Sequence, residues 1–333
     1  MKGFHIYYSL KDDTSEHSYI DYLCQLNSIL FWKKNYGYLE LYCNSEFLEK
    51  IKIWGLESYY DKINTEIFDE IPFKEKLKTY WSFPKIYGIK DISKNNDKFC
   101  VIDTDFWFYT PISFDMSHSL VGYHREELSI NDRDTYIDVS NFSVSKDYDW
   151  IERPINCAFL YFNSTDLISK WYDECLYVIE NTKELNRDGS SSHTVFIEQR
   201  LISSICKSLN HKISTLIDNI YIPGSESGHE WNPPLGYSVE NLKLFQNIKH
   251  IWGLKKMYDD DFIRNLVLTF CKISLDVFFP DWMVNNFKLS NILDKSITIE
   301  QIQQNDEMFN LTNLLIELKD FEFKNKKIYE KTE

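Results

Sequence analysis

The sequence has no excess of basic residues over acidic ones. Its 333 residues carry 37 Lys and Arg against 51 Asp and Glu, a formal net charge of −14. Non-specific nucleic-acid binding needs a basic surface, and so does purely electrostatic attachment to anionic membranes, so this composition argues against both. We therefore expect no nucleic-acid partner. A polyanionic nucleotide could still bind through local Lys or Arg side chains, a metal ion or a helix N-terminus.

Paired cysteines, targeting signals and long apolar runs are also missing. The 7 cysteines include no Cys-x-x-Cys pair, which argues against structural zinc and fits buried thiols in a reducing compartment. Residues 1–8 carry no signal-peptide pattern, and the apolar segment 266–279 is too short to span a bilayer and contains Lys272 and Asp276. We therefore predict a cytoplasmic protein without a transmembrane segment; peripheral attachment at the inner face of the membrane stays open.

The order of apolar segments predicts an α/β fold. Hydrophobic residues make up 43% of the chain and aromatic residues 16%, as in globular proteins, and no repeat or low-complexity linker interrupts it. Up to residue 105, predicted strands alternate with predicted helices, which indicates a mostly parallel sheet flanked by helices. We predict strands over 4–8, 39–43, 63–71, 120–123 and 155–162, and helices over 19–36, 73–89, 167–179 and 195–209. Pro84 should interrupt or restart the second of these helices.

One strand ends in two carboxylates. Residues 99–102 form a short apolar run that reads as a buried central strand, and Asp103 and Asp105 follow it. Asp is depleted inside strands, so the pair marks the carboxyl end, where open α/β sheets bind ligands. No basic residue lies within four positions, which favours Mg²⁺ or Mn²⁺ as the partner. The Asp-x-Asp pattern recurs at residues 132–134, 147–149 and 259–261, but in polar surroundings.

A second motif, His-x-x-Gly-x-x-Lys, lies at His250, Gly253 and Lys256. Because the chain has only 8 His and 10 Gly, this pattern is far rarer by chance than Asp-x-Asp. Its chemistry is coherent: imidazole is a ligand for Mn²⁺-like metals, glycine lets the backbone approach a phosphate, and lysine supplies a positive charge for a diphosphate.

With these two motifs the chain resembles the glycogenin-like retaining glycosyltransferases (glycosyltransferase family 8), although Met257 and Tyr258 replace the Pro-Trp that follows the second motif in the family. The resemblance implies a GT-A-like, Rossmann-like fold for a catalytic domain over residues 1–258. The absence of a repeat or linker favours a C-terminal helical extension over 259–333 that is packed on this domain. The resemblance also implies Mn²⁺ or Mg²⁺ as the cofactor. The metal ligands would be Asp103, Asp105 and His250, and the donor diphosphate would contact Gly253 and Lys256.

Other segments supply further candidates for the donor site. Residues 154–162 are similar to the family's Asn-x-Gly strand and provide Asn156, with Ala158 in place of Gly. Residues 196–201 are similar to its acidic-Gln pair and provide Glu198 and Gln199 as catalytic candidates. Trp81 and Lys85 lie where a basic residue of the family often contacts the donor, with Lys78 an equal alternative to Lys85. Tyr8 and Ser9, at the end of the first predicted strand, are donor-binding candidates by topology, and Thr104, between the two carboxylates, is the last candidate.

Together these features predict a metal-dependent glycosyltransferase of the hexosyltransferase type. Its donor would be a nucleotide-sugar, with UDP-sugar preferred, its acceptor a saccharide or another hydroxyl compound, and its stereochemical outcome retention; surface polysaccharide synthesis is one role open to it. A nucleotidyltransferase of similar fold also uses carboxylates and metal, but its Gly-rich basic loop is missing from residues 9–13. A non-catalytic sugar-binding or scaffold protein is the other alternative.

Overall fold

The computed structural model describes most of the N-terminal two thirds of the chain. It describes residues 1–10, 18–126, 139–183, 192–217, 220–221 and 247–250, and positions 271, 274, 275, 278 and 279. The chain divides into two compact units. The first comprises Met1–Asp13, Trp32–Asp103 and Pro111–Gly224; the second comprises Thr14–Phe31, Thr104–Thr110 and Ser225–Glu333. The predicted extension over 259–333 lies outside the described residues except at five positions, so its boundary stays a prediction.

Eleven strands and six α-helices are described. The strands are β1 (Gly3–Tyr7), β2 (Leu39–Cys43), β3 (Lys62–Asn64), β4 (Phe99–Ile102), β5 (Phe106–Phe108), β6 (Leu120–Gly122), β7 (Arg125–Glu126), β8 (Phe159–Phe162), β9 (Ile213–Thr215), β10 (Ile220–Tyr221) and β11 (Ile248–His250). The helices are α1 (Ser18–Tyr36), α2 (Ser45–Trp54), α3 (Phe83–Ile92), α4 (Thr165–Asn181), α5 (Ser192–Val195) and α6 (Leu201–Ser208). A π-helical segment, Phe196–Arg200, joins α5 to α6.

A seven-stranded mixed sheet forms the centre of the first unit. Its strand order is β3-β2-β1-β4-β8-β6-β9. Strands β3, β2, β1 and β4 are parallel neighbours, β8 runs antiparallel to both β4 and β6, and β9 is parallel to β6. The predicted mixed, mostly parallel sheet with flanking helices is confirmed. The strand order reverses between β1 and β4, because β2 and β3 extend the sheet on one side of β1 and β4 lies on its other side. Open α/β sheets bind ligands at such a point, outside the carboxyl ends of the strands.

The core of this unit lies between the sheet and helices α3, α4 and α6. Strand residues such as Phe4, Val101 and Leu160 are fully buried in one cluster with helix residues such as Ile86 and Trp171. Strand β4 is buried along its whole length, as a central strand covered on both faces must be. This packing fixes the position of the residue that follows β4.

Two predicted strands are too long, and one predicted helix restarts at its proline. The predicted strand over 63–71 ends at Asn64, and the acidic stretch Glu66–Glu70 forms a 3₁₀ helix instead. The helix predicted over 73–89 was expected to be interrupted or restarted at Pro84, and α3 does begin at Phe83, because proline fits the first turn of a helix but not its interior. The part before it contains only the 3₁₀ turn Lys74–Lys76. The predicted strand over 155–162 covers only Phe159–Phe162.

In the second unit, β5 pairs antiparallel with β11. The register places Phe106 opposite His250 and Phe108 opposite Ile248. Beyond the strand pair, the Asn247 side chain accepts a hydrogen bond from the Thr110 backbone N–H (2.8 Å) and donates one to the Thr110 carbonyl (3.0 Å). These bonds extend the pairing by one step and hold the register of β11.

All seven cysteines are free and buried, which confirms the expectation of buried thiols. None of the helices in the described part of the chain is both long and apolar enough to cross a bilayer.

Candidate metal centre

Asp103 stands at the carboxyl end of the central strand β4. It follows Ile102 directly, and its backbone N–H donates a hydrogen bond to the Ala158 carbonyl at 2.8 Å. That bond continues the antiparallel pairing of β4 and β8 by one residue. The Asp103 side chain is 35% exposed, so the carboxylate has a rigid base and an open side.

The second carboxylate and the histidine meet in the second unit. Asp105 immediately precedes β5, and the β5–β11 register sets His250 beside Phe106. The Asp105 Oδ1 and His250 Nε2 atoms lie 4.0 Å apart, and both side chains are about 5% exposed. Strand pairing thus brings two residues that are distant in sequence to one point.

The three predicted metal ligands are clustered. One ligand atom from each of Asp103, Asp105 and His250 lies within 4.8 Å of the other two. Opposite ligands of an octahedral ion are about 4.2 Å apart, twice a metal–oxygen distance of about 2.1 Å, so small side-chain movements would close the set around an ion. Two carboxylate oxygens and one imidazole nitrogen suit a divalent ion, and the imidazole favours a transition metal such as Mn²⁺ over Mg²⁺, which prefers oxygen ligands. The residues therefore fit the predicted cofactor.

Lys85, from helix α3, contacts the site although it is distant from it in sequence. Its Nζ atom lies 2.6 Å from Asp103 Oδ1, 2.7 Å from the Cys157 carbonyl oxygen and 2.9 Å from Glu198 Oε1. Burial alone would lower the pKa of Lys85, but the carboxylates of Asp103 and Glu198 outweigh it and raise the pKa above its usual value. The alternative candidate, Lys78, is exposed.

Glu198 and Gln199 lie on the π-helical segment. Glu198 is buried, and Gln199 is half-buried. The indole N–H of Trp171 donates to the Ile197 carbonyl (2.8 Å), and Phe142 stacks on Phe196 with ring centroids 3.8 Å apart. A π-helical turn frees a carbonyl from its usual intrahelical partner, and such turns are frequent at functional sites. Helical periodicity predicts a continuous helix here and misses the bulge that aims Glu198 at Lys85.

The chain that enters β8 provides the next predicted residue, Asn156. Its side-chain oxygen accepts from the Ala158 N–H (3.0 Å), and its amide nitrogen donates to Glu126 Oε1 (3.0 Å). Glu126, on β7, is 4% exposed. Sequence reasoning missed Glu126, since nothing in its polar sequence context distinguishes it.

Ser9 is held at the carboxyl ends of β1 and β2. Its backbone N–H donates to Asn44 Oδ1, and its carbonyl accepts from Asn44 Nδ2, both at 2.9 Å. Asn44 was missed, although it follows β2 directly as Tyr8 and Ser9 follow β1. Asn44 is at the N-cap position of α2, but its side chain bonds Ser9 and Glu46 and does not cap the helix.

The remaining candidates are less constrained or lie elsewhere. Tyr8 packs edge-on against Phe68 with ring centroids 5.5 Å apart, and Trp81 is 48% exposed. Thr104, which lies between Asp103 and Asp105 in the sequence, is half-buried. Gly253 and Lys256 lie outside the described residues.

No protein-family model and no curated protein sequence matches this chain. Solved structures that resemble it include the galactosyltransferase LgtC in complex with donor and acceptor sugar analogues (13% identity, TM-score 0.35, 65% of this chain and 73% of that one). It also resembles an active-site mutant of LgtC, with 13% identity, a TM-score of 0.36, and coverage of 75% of this chain and 86% of that one. A third similar structure is the glycosyltransferase GlyE of Streptococcus pneumoniae TIGR4, with 14% identity, a TM-score of 0.34, and coverage of 64% of this chain and 44% of that one. At these identities and TM-scores, the functional proposal below rests on the geometry of the site.

Proposed function

We propose that this chain is a divalent-metal-dependent glycosyltransferase that transfers a sugar from a nucleotide-sugar, preferably a UDP-sugar, to a hydroxyl acceptor. The observation that carries the proposal is the cluster of Asp103, Asp105 and His250, whose ligand atoms lie within 4.8 Å of one another. Asp103 follows the carboxyl end of the central strand β4, beside the point where the strand order of the sheet reverses, which is where such sheets bind nucleotides.

The proposed reaction breaks the bond between the anomeric carbon and the diphosphate oxygen and forms one between that carbon and the acceptor oxygen. The acceptor hydroxyl loses its proton, and the nucleoside diphosphate departs. A bound Mn²⁺ or Mg²⁺ would supply charge stabilisation for the departing diphosphate. Asp103, Asp105 and His250 would hold that ion. Gly253 and Lys256 would bind the diphosphate, as the resemblance to the glycogenin-like enzymes implies.

The sugar would lie beside Asn156 and Gln199. Asn156 is fixed by its bonds to Ala158 and Glu126, and Gln199 is half-buried next to Glu198. Retention of configuration would follow if the acceptor attacks the sugar from the face that the diphosphate leaves, with Gln199 stabilising the positive charge that develops at the anomeric carbon. Glu198 is paired with Lys85 at 2.9 Å, so its carboxylate orients this cluster and is not aimed at substrate as a free nucleophile.

Purified protein should be incubated with Mn²⁺ and a panel of nucleotide-sugars, and donor binding should be followed by calorimetry and turnover by release of nucleoside diphosphate. We expect binding and turnover with at least one donor, and loss of both in EDTA. Asp103→Asn should abolish Mn²⁺-dependent binding and turnover of the donor. Asp147→Asn, in an exposed Asp-x-Asp of the same spacing, should leave both unchanged. Donor turnover that is unchanged in EDTA would overturn the proposal, and binding without turnover would favour a sugar-binding protein.

A further inference from the structure

The ammonium group of Lys85 is held by three acceptors. An ammonium has three N–H donors, and its three acceptors lie 2.6, 2.7 and 2.9 Å away on Asp103, Cys157 and Glu198. Only 10% of the Lys85 side chain is exposed. Each N–H donor thus has its own oxygen acceptor, and the three oxygens surround the ammonium as ligands surround a metal cation.

The charges around this ammonium do not cancel. Asp103 and Glu198 carry two negative charges against one positive charge, and the Glu198 side chain is only 8% exposed. Without Lys85, two carboxylates would face each other across a poorly solvated gap, which is costly for the folded state. Such a gap between carboxylates is also an attractive position for a divalent cation.

Asp103 belongs to two clusters at once. Its Oδ1 atom contacts Lys85, and the same carboxylate contributes a ligand atom to the group with Asp105 and His250. Glu198, by contrast, is joined to the metal centre only through Lys85 among the contacts that the structure describes. Lys85 therefore decides how much of the negative charge of this cluster is available to a metal ion.

We propose that Lys85 is a built-in cation of the metal centre, which shares the Asp103 carboxylate with the divalent ion, keeps Glu198 away from that ion, and thereby lowers the metal affinity of the site. Lys85 is a positioning residue in this role, because it acts through Asp103 and Glu198. The inference rests on the proposed function only in taking Asp103, Asp105 and His250 as the metal site.

The test measures Mn²⁺ binding by calorimetry without any donor. Lys85→Met should tighten Mn²⁺ binding by about tenfold or more, because it removes the repulsion between the ammonium and the metal ion. Two unit charges a few Å apart in a partly buried site interact with a free energy at least as large as that of a tenfold change in affinity. The metal-free variant should melt at a lower temperature than the wild type, and Mn²⁺ should raise its melting temperature by more. Equal or weaker Mn²⁺ binding by a folded Lys85→Met protein would overturn the proposal.

Two further variants keep the test decisive if Lys85→Met does not fold. Glu198→Gln preserves size and removes one negative charge, leaving Lys85 to act on Asp103 alone, so Mn²⁺ binding should weaken several-fold; unchanged affinity would overturn the proposal. The double variant Lys85→Met/Glu198→Gln should return the affinity toward that of the wild type. Lys33→Met, which breaks the exposed Lys33–Asp61 pair (2.8 Å), is the matched control and should bind Mn²⁺ as the wild type does.

These measurements separate the two proposals. If no nucleotide-sugar is turned over but the Lys85 and Glu198 variants shift the Mn²⁺ affinity as stated, the glycosyltransferase assignment fails and the built-in cation stands. If turnover depends on Mn²⁺ but neither variant changes the affinity, the built-in cation fails and the assignment stands.

Discussion

The His250 Nε2 atom lies 4.0 Å from Asp105 Oδ1, a separation too long for a hydrogen bond but short enough for both atoms to bind one ion. Both side chains are almost completely buried. The two side chains therefore face each other at a spacing that two ligands of one metal ion can adopt.

Asp105→Asn and His250→Gln should each weaken Mn²⁺ binding by more than the roughly 10–100-fold that loss of an outer-shell partner costs, because each removes a direct ligand. The measurement is a calorimetric titration together with the Mn²⁺-dependent rise in melting temperature. Asp147→Asn is the control, since Asp147 is exposed. If the folded His250→Gln protein binds Mn²⁺ with wild-type affinity, His250 is not a ligand of the metal ion.

Asn44→Ala should raise the donor KM by about tenfold, because Asn44 makes two hydrogen bonds to the backbone of Ser9, where the nucleotide is proposed to bind. The kcat should change less, since the metal centre is untouched. Asn44→Asp keeps the acceptor for the Ser9 N–H but loses the donors to the Ser9 carbonyl and to Glu46, so it should resemble the alanine variant. An unchanged KM in both variants would place the nucleotide away from Ser9.

Trp171→Phe should lower the free energy of unfolding by about 1–3 kcal/mol, because the Ile197 carbonyl loses the buried indole donor at 2.8 Å. Since Ile197 precedes Glu198 in the π-helical segment, kcat should fall as well. Denaturant unfolding and turnover measure the two effects. Trp54→Phe, at a half-buried helix position distant in sequence from this segment, is the control for generic loss of an indole.

The stability contributed by Asp61 should depend on pH. Burial raises the pKa of Asp61, but the Lys33 ammonium and the Leu39 N–H outweigh it, so the pKa is below its usual value in the folded protein. A lowered folded-state pKa gives stability that is present above the ordinary value of about 3.9 and is lost as the pH falls through the folded-state value. The melting-temperature difference between wild type and Asp61→Asn should therefore shrink at acid pH; a constant difference would contradict this explanation.

The local parts of the fold could be predicted from the sequence. Strand β2 and helix α1 match the predicted bounds within one residue. Gly37, whose φ is +87°, ends the helix before the strand begins. The end of β4 was also predicted, since two Asp residues directly after an apolar run fit no strand interior. These are signals that neighbouring residues carry by themselves.

The contacts that complete the site could not be predicted in the same way. His250 was found as part of a motif, but its approach to Asp105 depends on the antiparallel register of β11 on β5. Lys85 was a candidate for the donor, yet its bonds to Asp103 and Glu198 depend on the packing of α3 beside the π-helical segment. Asn44 and Glu126 carry no local signal that separates them from other polar residues near strand ends.

Because all seven cysteines are free and buried, their reaction with thiol reagents can report on local opening of the protein. Burial raises the pKa of the Cys157 thiol, so alkylating reagents should modify it only when the protein opens locally. Its Sγ atom lies 3.6 Å from the Glu198 carbonyl oxygen, next to Lys85. Time-resolved alkylation of Cys157, read by mass spectrometry, can therefore follow the opening of this region. One cysteine introduced at the surface would accept a fluorophore without competition from the buried native thiols.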